Sequence, residues 1–204
     1  IICGCNSDLD VTAPYKENTI VYALLDKDSS LQYIRINKAF LGDGNAFVYA
    51  QVPDSTEYTD AQLHAEVHAI KNGAVVATYV LHDTLLPHDP GIFAGPFHKL
   101  YYFNTPAGDR LDSSATYRLE ATAKGNSVST ETPIVARIQP TGAIYSQPLR
   151  LYTSGGGYAT QAIQWKSAVN GKRYEISYRF NWAEVNGTDT LDRNFVQAIG
   201  TFVS

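Results

Sequence analysis

Tyr174-Glu175-Ile176-Ser177-Tyr178-Arg179-Phe180-Asn181-Trp182 sends five apolar side chains to one side of an extended backbone and four polar ones to the other. Successive strand residues point to opposite faces, so this run predicts an antiparallel strand with one face on a core. The same period of two recurs in Tyr117-Arg118-Leu119-Glu120-Ala121-Thr122-Ala123 and in Leu63-His64-Ala65-Glu66-Val67-His68-Ala69. Thr19 to Leu25, Leu31 to Ile36 and Val75 to Leu81 alternate less cleanly, and their β-branched and aromatic residues predict strands buried on both faces.

Turn chemistry supports the same reading. Asn72-Gly73 and Asn170-Gly171 each follow a strand-like run, and both residues tolerate positive φ, so each predicts a hairpin. Gly125-Asn126 predicts a third, folding the strand that ends at Ala123 against one running from Ser127 to Val135. Seven or more short strands joined locally point to an all-β fold, an antiparallel β-sandwich. Two longer connections interrupt the meander. Asn37 to Gln62 contains Ala46-Phe47-Val48-Tyr49-Ala50, a short helix with Asp43 or Asn45 as its cap. His82 to Pro96, with three prolines and two glycines, predicts an excursion over the sandwich rim.

The 204 residues, 44% hydrophobic and 12% aromatic, can fill a sizeable core. Net charge is −4 with both signs dispersed, so no basic stripe argues for nucleic acid. No apolar run of about 18 residues predicts a membrane-spanning helix. The organisation expected is a tether over 1–9, a β-sandwich domain over 10–139, a boundary in Gln139-Pro140-Thr141-Gly142, and a second β module over 145–204. The last stretch is short for a sandwich, and the preferred reading is that the sequence stops inside that module.

Location is read from Ile2-Cys3-Gly4-Cys5. A lipoprotein signal ends with an apolar residue three places before the modified cysteine and a small one directly before it. Cys5 fits and Cys3 does not, so Cys5 is the expected lipidation site, the rest of the signal preceding the sequence. Two or more acyl chains, at about 0.8 kcal/mol per buried CH₂, would hold the chain on a membrane. Both cysteines fall in this segment, leaving the body without a disulfide framework or thiol nucleophile.

Asp10-Val11-Thr12-Ala13-Pro14, Ile20 to Asp26, Tyr33 to Leu41 and Gly91-Ile92-Phe93-Ala94 together resemble secreted Bacteroidetes-type lipoproteins of unknown function. Trp165 and Tyr174 to Trp182 are similar to the second module of such proteins. The resemblance implies immunoglobulin-like or fibronectin-like antiparallel β-sandwich modules on the cell envelope and brings no catalytic residues. Asp8 and Asp10 after the cysteine resemble a signal for export to the outer face of the outer membrane. It also implies cooperation with an outer-membrane transporter or another surface complex.

Chemistry-bearing residues are few. His64-Ala65-Glu66-Val67-His68 is not a zinc-protease helix, because the glutamate comes one place late. On a strand the two histidines stand about 13 Å apart, so only a histidine–glutamate pair could share an ion, and a solvated polar face is the preferred reading. His82, Asp83, His88 and Asp89 crowd one segment without fixed spacing, and turn formation accounts for them. No Gly-x-Ser-x-Gly elbow occurs. Neither a metal nor a cofactor is expected, and a non-catalytic binding or accessory module is the favoured function. A hydrolase is the remoter alternative. The nearer one is carbohydrate binding by exposed rings, for which Tyr101, Tyr102, Tyr152 and Tyr158 are the candidates. Trp165 and Trp182 are expected to face the core of the C-terminal unit.

Overall fold

The structure, a computed structural model, describes residues 17–39, 45–93, 95–106, 109–142 and 152–204. The chain divides into two compact units, Ile1–Ile134 and Val135–Ser204.

Among the described residues of the first unit eight strands alternate with connections: β1 (Thr19–Ala23), β2 (Leu31–Lys38), β3 (Leu63–Lys71), β4 (Ala74–Val80), β5 (His82–Pro87), β6 (Phe97–Asn104), β7 (Thr116–Ala123) and β8 (Asn126–Pro133). They form two antiparallel sheets, ordered β1-β2-β6-β5 and β4-β3-β7-β8. This is the A-B-E-D and C′-C-F-G arrangement of an immunoglobulin-like sandwich. Inward residues of both sheets make one core, with Ile34, Ile36, Tyr101 and Phe103 from the first meeting Val67, Ala69, Tyr117, Leu119 and Ala121 from the second.

Local sequence explains the joints. Asn72 (φ 53°) with Gly73 (φ 79°) and Lys124 (φ 47°) with Gly125 (φ 83°) each adopt positive φ at two consecutive positions, the geometry that matches strand twist in a tight hairpin. Between β2 and β3 run α1 (Ala46–Ala50) and the single turn α2 (Pro53–Thr56). Asn45 is the cap of α1, its side chain accepting from the Phe47 N–H at 2.9 Å. The connection from β6 to β7 is pinned by Tyr117, the second residue of β7, whose hydroxyl accepts the Asp112 N–H at 2.8 Å. This is the tyrosine corner of immunoglobulin-like domains. Leu119, two residues further on, is buried where antibody domains place a cysteine, so aliphatic packing replaces the disulfide at that position.

Some expectations change. The runs read as buried on both faces are not: β1 and β4 are edge strands with exposed outer faces, and β2 alternates strictly between buried and exposed. The segment His82 to Pro96 is not a loop throughout, because His82–Pro87 is edge strand β5 on β6. A terminal proline and polar side chains suit an edge, where one row of backbone groups faces water.

The second unit contains β9 (Gln139–Thr141) paired with β10 (Gln164–Lys166), a bridge between Tyr152 and Tyr158, and the long pair β11 (Arg173–Asn186) and β12 (Asp189–Val203). Asn170-Gly171 does not make the expected hairpin, since β10 pairs with β9 rather than with β11. The long hairpin turns at Gly187-Thr188, with Gly187 at φ 63°.

Candidate functional site

The alternating run over Tyr174 to Trp182 forms part of β11 as expected, but among the described residues its apolar face is covered only at the base. There Tyr174 is buried, and Trp165 packs on Tyr174 and Phe202 at ring-centre distances of 6.0 and 5.3 Å. The Tyr174 hydroxyl accepts the Ala168 N–H at 2.9 Å, repeating in the second unit the device that Tyr117 provides in the first.

Among the described residues the ribbon is bare beyond the base. Register pairs Tyr178 with Gln197, Phe180 with Phe195, and Trp182 with Arg193, so Tyr178, Phe180, Trp182 and Phe195 share a face. Trp182 is 42% exposed, Tyr178 and Phe195 each 44%, and the expected inward packing of Trp182 is therefore wrong. Half-burial comes from the rings themselves, which meet edge-on or tilted at centre distances of 5.9 to 6.3 Å. Arg193 and Glu184 close the outer end with a 3.0 Å ion pair. On the opposite face Arg179, Asn181, Asn194 and Asp192 interrupt the apolar residues. Among the described residues neither β11 nor β12 has a second strand neighbour, so each keeps a free backbone edge.

Sequence reasoning missed the half of this site that β12 supplies, namely Leu191, Phe195 and Phe202. Asn186-Gly187, followed by alternating Leu191, Arg193, Phe195 and Gln197, was the signal for a hairpin here.

The tyrosines singled out for sugar stacking separate. Tyr101 is only 6% exposed, which removes it from any platform; its hydroxyl is buried without a hydrogen-bond partner, and burial pushes its pKa up to about 12. Tyr102 is half-buried between Tyr33 and His82, at ring-centre distances of 6.4 and 5.9 Å. Tyr152 and Tyr158 do come together, both well exposed, with ring centres 5.3 Å apart across the Gly155-Gly156-Gly157 loop. Cys5 lies outside the described residues.

His82, Asp83, His88 and Asp89 do not converge. His82 and Asp83 begin β5 while His88 and Asp89 follow its far end; Asp83 pairs with Lys99 at 3.2 Å and His88 stacks on His98 at 5.2 Å. A shallow recess of about 420 Å³ lies over β1 and β2, with Ile20, Tyr22 and Phe93 on its apolar side. Its two cations are occupied, Arg35 donating to Asn37 and Lys38 lying over the Tyr58 ring. On the outer face of β3 and β7, by contrast, Glu66, His68 and Glu120 gather, with His68 Nε2 3.0 Å from Glu66 Oε1 and 3.5 Å from Glu120 Oε2. The histidine–glutamate pair seen in one strand thus acquires a third member from its neighbour, which single-strand spacing could not reveal. Comparison of the chain with protein-family models, with curated proteins and with solved structures finds no match.

Proposed function

We propose that this protein is a non-catalytic binding or accessory module, anchored to the cell envelope through a lipid on Cys5, that docks a protein partner along the aromatic face of the β11–β12 ribbon. The observation that carries this reading is the ribbon itself. A two-stranded hairpin is marginal in water unless a third layer covers it, and contiguous exposed apolar surface on a soluble fold marks an interaction site. Free edges on both strands let a partner add a strand by backbone hydrogen bonds while its apolar side chains cover Tyr178, Phe180, Trp182 and Phe195. An outer-membrane transporter or another surface complex has the right location for that partner.

Carbohydrate binding is the second reading, favoured by the exposed Tyr152–Tyr158 pair. The ribbon suits a sugar less well, because its rings turn edges toward one another instead of presenting a flat row. The non-catalytic reading is supported by the large pKa shifts: burial explains Tyr101, and Asp112 owes its low value to Lys71 and Ser114, so neither marks a reactive cleft.

A photoreactive phenylalanine analogue placed at Phe180, and separately at Asn181 on the opposite face, tests the reading in intact envelopes. Docking on the aromatic face gives a discrete protein adduct from position 180 and little from 181. Absence of any adduct, with polysaccharide retention that is lost in Tyr158→Ala, would replace the protein partner with a glycan.

A further inference from the structure

We infer that Glu66, His68 and Glu120 form a binding site for a divalent transition metal of the zinc type, on the outer face of the β4-β3-β7-β8 sheet.

Glu66 and Glu120 are direct cross-strand partners on β3 and β7, and His68 stands two residues along β3 on the same face. One ligand atom from each lies within 4.8 Å of the others. Zinc held at about 2.0–2.2 Å in a tetrahedron requires ligand atoms about 3.3–3.5 Å apart. The 3.0 and 3.5 Å separations from His68 Nε2 to the two carboxylates come close to that, and rotation of the glutamate side chains sets the remaining separation, between two oxygens already within 4.8 Å of each other. One imidazole and two carboxylates make a mixed nitrogen and oxygen set, which suits zinc and its first-row neighbours better than the all-oxygen preference of calcium or magnesium. Three protein ligands leave a fourth position for water.

The surroundings orient these atoms as a metal site requires. His68 Nδ1 lies 3.1 Å from Thr78 Oγ1 on β4, and a proton donated there leaves the Nε2 lone pair directed at the carboxylates. Arg118 Nε is 2.9 Å from Glu120 Oε1, a charge contact out of line for a hydrogen bond, while Oε2 is the oxygen that faces His68. The two oxygens of Glu120 are thereby divided between an orienting cation and the cluster. Like charges directly opposite one another across a sheet oppose pairing, and a bound cation removes that cost at Glu66–Glu120. The His68 side chain is 12% exposed, enough for an ion to enter from solvent and too little for the ring to swing freely.

The test is zinc binding by the full chain, stripped with chelator and with its thiols alkylated, measured by equilibrium dialysis and by the visible bands of the cobalt form. One metal per chain is expected. His68→Ala should weaken binding at least 100-fold and Glu120→Gln tenfold or more, and Thr78→Val about tenfold through loss of the imidazole orienter. His64→Ala, which removes an exposed histidine on the same strand, should leave binding unchanged. Circular dichroism of each variant separates lost metal from lost fold; if His68→Ala unfolds, Glu66→Gln and Thr78→Val carry the same reading. No stoichiometric zinc on the wild-type chain, or equal binding by folded His68→Ala, overturns the site and identifies the cluster as an ion-pair network.

Discussion

Tyr117 and Asp112 show how single residues set the sandwich. Tyr117→Phe leaves the Asp112 N–H without its acceptor and should cost about 1 to 2 kcal/mol in urea unfolding, with the core otherwise unchanged. Asp112 itself ties the same corner, accepting from Ser114 N and Oγ and pairing with Lys71 at 2.9 Å. The Lys71 bond, with the Ser114 bonds behind it, holds the carboxyl at a pKa of about 2, against 3.8 for the free group. A lowered folded pKa adds stability that is present above about 4 and is lost as pH falls toward 2. Asp112→Asn should therefore destabilise at neutral pH, and its deficit should shrink across that window. Because both partners are half exposed, added salt should reduce the deficit as well. Gln32 is a buried polar counterpart: it donates to the carbonyls of Asp26 and Ser29 and accepts the Asp26 N–H, fixing the β1–β2 turn from inside.

At the scale of elements, the period-two pattern identifies strands and their faces without saying what lies over a face. The Tyr174-to-Trp182 run was legible as a strand, and Asn72-Gly73 as its own hairpin, because both signals are local. Burial of Trp182 was not legible, since it depends on a covering layer that no local pattern encodes. His82–Pro87 was hidden for a different reason: an edge strand tolerates the proline and charges that otherwise spell loop. The Glu66–His68–Glu120 cluster depends on the register of β3 against β7, which one strand's spacing does not contain. The two tryptophans should now part company. Trp165→Ala should destabilise the second unit by about 2 to 3 kcal/mol, because its ring rests on Tyr174 and Phe202. Trp182→Ala should stay within about 1 kcal/mol of wild type, as its ring is exposed and rests on the equally exposed Phe180 and Phe195.

For the whole molecule, the proposed reading divides the labour between an immunoglobulin-like sandwich with its own core as scaffold and the exposed aromatic ribbon of the second unit as contact surface. Among the described residues no helix is long and apolar enough to cross a membrane. The proposed membrane attachment is the lipid at Cys5. Cys5→Ser in the full precursor should release the protein from the membrane fraction, and persistence there would refute lipidation at that residue. The ribbon can be interrogated through its own fluorophore in a Trp165→Phe background, where Trp182 is the sole indole. Iodide should quench Trp182 strongly in the purified protein and weakly in native envelopes, where the partner covers the aromatic face. Protection in the purified protein, or equal quenching in both settings, would contradict a ribbon that stands open to receive a partner.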